Sequence, residues 1–448
     1  MAKTRQSTKA KDTTTFDYIA GLDIGNGYVK GGVGPNKYVP TAGAFAAATI
    51  DMPSAMSYIN GRFKDPVSAR DALSYVSDHD GEADFFNKVD VTIDSPSIEY
   101  HSGLHYRVGA GAVGALNTVG GLVQFHIGDN ESKSEQDISI ILALSTIAAK
   151  VVQDYVALHG ELPDSAVNAT CVLAVALPID EYVRYRKRYV RRFIGGDEPV
   201  VHMITVHNFD KPVPVALKFV DVVVIAEGAS AQFAINEYGE DVQAAMLADA
   251  KKYAPALEAY TVEDLVHARN IVGIDIGEGT VNFPVYTDRN FNADSSVTLY
   301  TGYGDQLSAA LDELPGYGSR KALSEFLVEV QRQQREGAYI PTRTTRAYDQ
   351  ARRVLTRFES VFAESIAAEF MTIMKRIGGR VDAVYIYGGG SAPMREVLYP
   401  LLIARASDFL GEEVIPPIVY VDGLYSRDLN KAGLTIAADR LAKRVVQG

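Results

Sequence analysis

The chain has 448 residues, 47% of them hydrophobic and 22% charged, which is typical of folded globular proteins. Its net charge of −12 argues against tight non-specific binding to nucleic acid, and its single cysteine excludes a disulfide framework or a cysteine-rich metal site. At about 150 residues per domain the length suggests about three domains, although a two-lobed enzyme also fits.

Residues 1–15 are polar and basic and lack the apolar core of an export signal, so we expect a disordered tail there; a tether to nucleic acid or to a membrane surface is the alternative. No run reaches the ~18 apolar residues of a membrane-spanning helix. The longest candidate, residues 138–152, is broken by Ser139, Ser145 and Lys150 and predicts a buried helix. The sequence therefore predicts a soluble, cytoplasmic protein with no membrane partner.

The first glycine-rich segment, residues 19–33 (IAGLDIGNGYVKGGV), predicts a β-hairpin whose first strand ends at Asp23. Glycines at the tip let backbone N–H groups approach an anion such as phosphate. Asp23 would repel that anion unless a cation lay between them, and Mg²⁺ is held in this way by carboxylates and phosphates. Lys30 on the returning strand could reach a β- or γ-phosphate oxygen; a solvated lysine at a strand edge is the alternative.

The middle of the chain contains the single cysteine, a basic stretch and two histidines close in sequence. Cys171 lies in an apolar run and is predicted to be a core thiol. Residues 184–192 (RYRKRYVRR) carry six basic residues in nine, which predicts a solvated helix face with tyrosines packed beneath; a contact with an acidic partner is the alternative. His202 and His207 lack zinc spacing, and no metal is assigned to them.

Glu227 follows the apolar strand predicted over residues 220–226 and precedes a small-residue helix that could run between two lobes. A carboxylate in this place could orient a reacting water. The alternative is a carboxylate at a helix start that serves the local dipole.

Residues 271–285 (IVGIDIGEGTVNFPV) repeat the first hairpin, with eight of fifteen positions identical. The repeat predicts two related lobes, with Asp23 and Asp275 holding hydrated Mg²⁺ from opposite sides of a cleft. Asn282 stands where the first copy has Lys30, so the lobes are not equivalent. Pro284 predicts an edge or a bulge on the returning strand.

A third glycine cluster, in residues 383–394 (AVYIYGGGSAPM), predicts a strand that runs through a glycine turn into a helix over 395–409. Such a turn suits the sugar and α-phosphate of a nucleotide. Residues 300–307 (YTGYGDQL) either line the adenine side of the cleft through Gly302 or form a plain turn before a helix over 306–314. The second basic stretch, 332–353, again predicts a solvated helix face.

These elements, in this order, resemble the signature of the actin, sugar-kinase and heat-shock ATPase superfamily. Residues 23–32 resemble its first phosphate loop, 275–280 its second and 387–391 its adenosine motif. The spacing from Asp23 to Lys30 is similar to that of the actin branch. Segments 52–54, 104–109, 172–182 and 222–229 resemble the plasmid-segregation actins of bacteria, the ParM type, and the resemblance covers residues 16–445.

The resemblance implies an α/β, actin-like fold of two lobes, each a mixed β-sheet flanked by helices, with the nucleotide cleft between them. Domain I is expected over 16–267, with insertions near 64–100 and 238–268, and domain II over 271–425. The carboxyl-terminal helix, 429–448, is expected to return to domain I.

The resemblance also implies an ATPase that binds ATP or GTP with Mg²⁺. Asp23, Glu227 and Asp275 are the expected catalytic residues, and Asp23 and Asp275 hold the metal through water. The expected nucleotide-binding residues are Gly25, Asn26, Gly27, Tyr28, Lys30, Gly277, Glu278, Gly279, Thr280, Gly302, Gly388, Gly389, Gly390 and Ser391.

The expected function is polymerisation into dynamic filaments that segregate plasmid or prophage DNA. The expected partners are other copies of the chain and a DNA-binding adaptor protein, without direct DNA binding. Residues 184–192 could then serve as a filament contact. Two alternatives stay open: a kinase of the same superfamily acting on a small metabolite, and a nucleotide-dependent regulator that does not polymerise.

Overall fold

The computed structural model describes residues 15–40, 43, 45–59, 66–77, 85–113, 118–126, 132–196, 198–421 and 423–447. Residues 1–14 of the expected disordered tail lie outside these ranges, whereas Thr15 opens the first strand. The tail expected over residues 1–15 therefore lies outside the described residues, except for Thr15, which belongs to a strand.

The larger sheet has ten strands within the described part of the chain, in the order β3-β2-β1-β8-β10-β9-β5-β6-β4-β7. β8 lies between β1 and β10, parallel to both, and its nearly continuous apolar run is typical of a strand covered on both faces. The strands are β1 (Thr15–Ile24), β2 (Tyr28–Pro35), β3 (Ala48–Pro53), β4 (Ala55–Ile59), β5 (Asp90–Asp94), β6 (His105–Val108), β7 (Thr118–Gln124), β8 (Val167–Leu177), β9 (His202–Val206) and β10 (Val213–Ala226).

The second sheet has seven strands among the described residues. Its order is β14-β13-β11-β12-β15, with β16 parallel to β11 and β17 parallel to β16. The strands are β11 (Ile271–Ile276), β12 (Val281–Phe283), β13 (Val285–Thr287), β14 (Asn290–Phe291), β15 (Val297–Leu299), β16 (Ala383–Tyr387) and β17 (Ile418–Tyr420). Both sheets are mixed, so the fold class is α/β as predicted.

Helices flank both sheets. They are α1 (Ala72–Ser77), α2 (Ala110–Val113), α3 (Asp137–His159), α4 (Ile179–Ile194), α5 (Ala231–Ile235), α6 (Glu240–Lys251), α7 (Val262–Val266), α8 (Tyr303–Glu313), α9 (Arg320–Arg335), α10 (Thr342–Arg376), α11 (Ser391–Leu410), α12 (Gly423–Ser426) and α13 (Leu429–Gln447). Single 3₁₀ turns occur at Pro255–Ala259, Pro315–Tyr317 and Glu412–Val414.

α3 forms the middle of the first core, together with the inner faces of β1, β2, β8, β9 and β10. Among the described residues it is the one helix long and apolar enough to cross a membrane by length and composition, and 83% of its most apolar window is buried. The prediction of a buried helix over 138–152 is confirmed. Cys171 is buried beside this helix as a core thiol, also as predicted.

Both glycine hairpins form. Asp23 pairs with Lys30 across β1 and β2, and Asp275 pairs with Asn282 across β11 and β12. The bulge expected at Pro284 is absent, because the pairing of β11 with β12 and then β13 keeps one register. Pro284 instead lies between β12 and β13. On the side away from β11, β12 pairs with β15 and β13 pairs with β14. The N–H that proline lacks is therefore not needed for a strand pairing at this position.

Two helices start earlier than predicted. α8 begins at Tyr303 because the N–H of Gly302 donates to the Asp305 carboxylate and closes its first turn. α11 begins at Ser391, whose hydroxyl donates to the carbonyl of Gly388, so the glycine turn leads directly into the helix.

The last helix, α13, packs against α5 and against β1, β8 and β10 of the first sheet. A carboxyl-terminal helix that returns to the amino-terminal sheet is what the sequence led us to expect. The proposed domain bounds themselves stay a prediction.

Candidate functional site

Three glycine-containing segments meet at the carboxyl end of β11. The N–H of Tyr303 donates to the carbonyl of Gly277 at 2.9 Å, and the N–H of Gly304 donates to that of Glu278 at 2.8 Å. The N–H of Gly390 donates to the carbonyl of Ile276 at 2.8 Å. The second hairpin loop, the start of α8 with Gly302, and the Gly388–Gly390 turn are therefore in contact.

Gly388 is required at its position by both geometry and space. Its φ is 96°, in the left-handed region that favours glycine. A Cβ at this position would lie 2.5 Å from Oδ1 of Asp275 and 2.5 Å from the carbonyl oxygen of Ile276. The backbone of the triple-glycine turn thus packs directly against Asp275 and leaves no room for a side chain at Gly388.

The tips of the two hairpins face each other. A Cβ on Gly27 would lie 1.5 Å from Oε2 of Glu278, whose side chain also forms an ion pair with Arg320 at 3.4 Å. The glycine leaves room for the glutamate of the opposite loop. Gly25 closes the first turn by donating its N–H to the carbonyl of Tyr28 at 2.9 Å.

Lys30 lies on β2, which has β1 on one side and β3 on the other, so the strand-edge alternative for this lysine is wrong. Its Nζ donates to the carbonyl of Arg427 at 3.2 Å. Arg427 in turn pairs with Asp51 at 2.7 Å and lies over the ring of Tyr28. The first hairpin is thereby linked to the segment that leads into α13.

Asp23 and Asp275 end the first strands of their hairpins and lie within electrostatic reach of each other. Burial raises the pKa of Asp275 to about 7, and the negative charges of Asp23 and Glu227 contribute in the same direction. Burial also raises the pKa of Asp23, against the charges of Lys133 and Lys30. The negative charge of Asp23 thus disfavours ionisation of Asp275, and a cation beside both carboxylates would relieve that repulsion.

Asp23 and Asp275 are carboxylates, the kind of oxygen donor that Mg²⁺ takes in proteins. Among the described residues no group of three or more histidine, cysteine, aspartate or glutamate side chains could hold a metal ion. Mg²⁺ typically keeps several waters and takes one or two carboxylates plus substrate phosphates. Asp23 and Asp275 would supply those carboxylates.

Glu227 extends from the end of β10 to the second hairpin. Its Oε1 accepts a hydrogen bond from Lys133 at 2.5 Å, and its Oε2 accepts one from the side-chain amide of Asn282 at 3.2 Å. The side chain is 11% exposed. Since α5 begins four residues later, at Ala231, and both partners are side chains, the helix-dipole alternative does not describe this carboxylate.

Two residues of the site have no sequence signal. Lys133, in the polar segment before α3, contacts Glu227, and Asn430, in the first turn of α13, donates to Oδ2 of Asp275 at 2.7 Å. Asn430 also accepts a hydrogen bond from Ser230 at 2.9 Å. Each of these two side chains contacts a residue more than 90 positions away in sequence. A contact between such distant residues leaves no local sequence pattern.

The basic stretches are less solvated than predicted. On α4, Arg184, Lys187 and Arg191 are exposed and Tyr189 is buried, as expected. Arg192, however, forms an ion pair with Asp137 at 2.5 Å. In the second stretch, Arg352 donates to Glu359, which is fully buried.

Glu359 connects this second stretch to the site. Its carboxylate also accepts a hydrogen bond from the Tyr303 hydroxyl at 2.8 Å. Tyr303 is the residue whose N–H supports the second hairpin loop, so α10 fixes the start of α8 from behind.

A cavity of about 430 Å³ lies away from these residues, beneath α5. Its lining includes Gln243, Tyr286 and Tyr385 and none of the predicted site residues. Asp23, Glu227 and Asp275 therefore do not line this cavity.

No protein-family model and no curated protein matches the sequence. Solved structures do. An actin-like protein, Alp7A, matches with a TM-score of 0.59 and 15% identity, covering 96% of this chain and 97% of its own. A Bacillus thuringiensis ParM solved with ATP matches with a TM-score of 0.56 and 14% identity, covering 96% of this chain and 100% of its own. The apo psk41 ParM matches with a TM-score of 0.51 and 13% identity, over 96% and 99%. The chain therefore has an actin-like fold.

Proposed function

We propose that this chain is an ATP-binding and ATP-hydrolysing actin-like protein that polymerises into dynamic filaments and segregates plasmid or prophage DNA. The observation that carries the proposal is the assembly of Asp23, Asp275 and Glu227 around two facing glycine hairpins. Similarity of fold to ParM structures solved with ATP, ADP and AMPPNP supports the choice of nucleotide.

In this proposal the two hairpins bind the phosphates. The loop N–H groups of residues 26–28 and 278–280 face the phosphate oxygens, and Lys30 adds a positive charge. The Gly388–Ser391 turn lies at the start of α11 and takes the sugar and α-phosphate. Bound Mg²⁺ would neutralise charge that develops on the phosphates, and Asp23 and Asp275 would hold its waters.

Glu227 orients the attacking water. Phosphoryl transfer depends mainly on positioning and charge stabilisation, so a fixed acceptor in line with the γ-phosphorus is the main contribution of the protein. Glu227 is suited to this role because Asn282, a side chain of the second hairpin, holds its Oε2 and fixes the direction of the carboxylate.

Filament partners follow from the same proposal. The chain would assemble with copies of itself in the cytoplasm and reach DNA through an adaptor protein, because an acidic chain of net charge −12 is poorly suited to bind DNA directly. No observation among the described residues favours the kinase or the regulator over the filament.

High-speed sedimentation with ATP, with ADP and without nucleotide tests the proposal. A filament protein pellets with ATP above a critical concentration and stays in the supernatant without nucleotide. A chain that hydrolyses ATP but never pellets over a wide concentration range contradicts polymerisation and favours the kinase or the regulator.

A further inference from the structure

Lys133 is a buried cation that the predicted motifs do not explain. Only 4% of its side chain is exposed, and its Nζ donates to Oε1 of Glu227 at 2.5 Å. The ring of Phe125 lies 5.8 Å from the same nitrogen. A lysine ammonium has three donors, and among the described residues Glu227 is the one acceptor that Lys133 has. Its other two N–H groups have no acceptor among the described residues and could serve a ligand.

Lys133 also faces the first aspartate of the site. Its charge lowers the pKa of Asp23 more than the charge of Lys30 does. The carboxylates of Glu227 and Asp23 in turn hold the pKa of Lys133 above its usual value, in spite of its burial. Lys133 thus contacts the candidate water-orienting carboxylate and lies within electrostatic reach of the candidate metal-holding carboxylate Asp23.

The turn that carries Lys133 is fixed by α4. The hydroxyl of Ser132 donates to Glu181 at 2.5 Å, and Arg192 donates to the carbonyls of Ser134 at 2.8 Å and Gln136 at 3.2 Å. A lysine on a rigid turn loses little conformational entropy when it binds an anion. The contacts of Arg192 also explain why this residue of the basic stretch 184–192 is not solvated.

We propose that Lys133 is a second phosphate-binding cation, which pairs with Glu227 when no terminal phosphate is present and with the γ-phosphate oxygens when ATP is bound. This inference rests on the proposed function. The terminal phosphate carries more charge than a carboxylate and offers three acceptor oxygens, so it competes for the ammonium. When Lys133 moves, Oε1 of Glu227 becomes free to accept a hydrogen bond from the attacking water.

The exchange makes the state of Glu227 depend on the nucleotide. With ADP or with no nucleotide, the ion pair occupies the carboxylate. With ATP, the same lysine stabilises the terminal phosphate and releases the group that orients water. Lys133 is therefore expected to discriminate between nucleotides with and without a γ-phosphate.

The test compares Lys133→Met with Lys150→Met. Lys150 is the matched control because it is also a buried lysine, 3% exposed and paired with Asp154, but it lies in α3 away from the site. The dissociation constants of AMPPNP and ADP are measured by calorimetry. We expect Lys133→Met to weaken AMPPNP binding about tenfold or more while ADP binding changes by about twofold or less. Lys150→Met should leave the ratio of the two constants unchanged.

A second variant covers the case in which Lys133→Met does not fold. Lys133→Met with Glu227→Gln removes both charges of the buried pair, so no charge is left without its partner. It should show the same selective loss of AMPPNP affinity when compared with Glu227→Gln alone. An AMPPNP-to-ADP ratio equal to that of the parent protein overturns the inference in either comparison.

Failure of the inference differs from failure of the proposed function. If wild-type protein binds neither AMPPNP nor ADP, the nucleotide proposal itself is wrong. If wild-type protein binds both and hydrolyses ATP, but Lys133→Met behaves like Lys150→Met, the ATPase proposal stands and only the role of Lys133 is rejected.

Discussion

Glu227 has a hydrogen-bond donor at each carboxylate oxygen, Lys133 on one and Asn282 on the other. Asn282 fixes the direction of the carboxylate, and Oε1 would accept a hydrogen bond from water once Lys133 binds the terminal phosphate. We expect Glu227→Ala to bind ATP within about threefold of wild type and to hydrolyse it roughly 100- to 10,000-fold more slowly. Phosphate release and binding of a fluorescent nucleotide, measured on one preparation, check both parts.

Glu237→Ala is the control for this variant. Glu237 is half exposed and pairs with Arg440 on the surface, so its removal should change neither binding nor hydrolysis. Wild-type turnover in Glu227→Ala would remove Glu227 from the mechanism. Loss of binding as well as turnover would assign it a structural role.

Gly388 and Gly389 provide a matched pair for testing the triple-glycine turn. A Cβ on Gly388 would meet Asp275 and backbone at 2.5 Å with φ at 96°, whereas a Cβ on Gly389 would meet only the side chain of Arg427 at 4.0 Å. We expect Gly388→Ala to lower the free energy of unfolding by about 2–3 kcal/mol and Gly389→Ala to change it by about 0.5 kcal/mol or less. Urea unfolding curves measure both, and equal effects would contradict the strained geometry.

The residues that the sequence identified share a local signal. Asp23, Asp275 and the Gly388–Gly390 turn each follow an apolar strand and stand in or beside glycines, so neighbouring residues predict them. Lys133 and Asn430 have no such neighbours. Their place in the site depends on where α3 and α13 pack, and packing between distant segments is set by the whole core and not by a local pattern.

At the scale of elements, the neighbouring strands β9, β5 and β6 inside the larger sheet hold a small cluster of titratable groups. The Nε2 atom of His207 lies 2.9 Å from the Thr92 hydroxyl, and its ring centroid lies 4.4 Å from that of His105. Arg107 pairs with Asp90 on the neighbouring strands at 2.6 Å. Burial and the nearby His105 lower the pKa of His207 to about 4, while Asp90 acts in the opposite direction.

The lowered pKa of His207 predicts a loss of stability in mild acid. Above the usual histidine pKa of about 6.5 the ring is neutral in both states, so its full contribution is present. Between about pH 6.5 and pH 4 the unfolded chain binds a proton that the folded chain does not, and the free energy of unfolding falls. We expect the stability difference between wild type and His207→Gln to shrink by about 1–2 kcal/mol over this range, allowing for partial exposure.

Urea unfolding at several pH values measures that difference. His267→Gln, at an exposed position after α7, serves as the control and should keep a constant difference from wild type. A difference for His207→Gln that does not change between pH 6.5 and pH 4 would contradict the predicted protonation.

The sequence predicted elements well where one segment contains the whole signal. Both hairpins and the buried helix α3 formed as expected, because alternation, glycine turns and a long apolar run are local. The starts of α8 and α11 were placed too late, since the hydrogen bonds of Gly302 and Ser391 extend each helix into its glycine turn. Of the edge or bulge expected at Pro284, the bulge does not form, because β11 keeps one register with β12 and β13.

At the scale of the whole molecule, the charge of −12 opposes association of identical subunits. Contacts should then use local positive surfaces. With Arg192 engaged inside the fold, the exposed cations of α4 are Arg184, Lys187, Arg188 and Arg191, and Arg188 already pairs with Glu135. Arg184, Lys187 and Arg191 are left as the candidate contact surface.

We expect assembly to weaken with salt if this surface is used. The Debye length falls from about 10 Å at 0.1 M to about 3 Å at 1 M, so attraction between exposed charges is screened. Replacing Arg184 and Lys187 with serine should raise the critical concentration at low salt and remove most of its salt dependence. Lys251→Ser with Lys252→Ser, at the end of α6, is the control. Equal salt dependence in all three proteins would exclude the α4 surface as a contact.

We expect ATP bound between the two hairpins to drive assembly and Glu227 to limit the life of the polymer. Light scattering after addition of ATP to wild type and to Glu227→Ala tests it directly. We expect scattering to rise in both proteins, to decay in wild type as phosphate is released, and to persist in Glu227→Ala. No ATP-dependent rise in either protein over a wide concentration range, or the same decay in both, would contradict the claim.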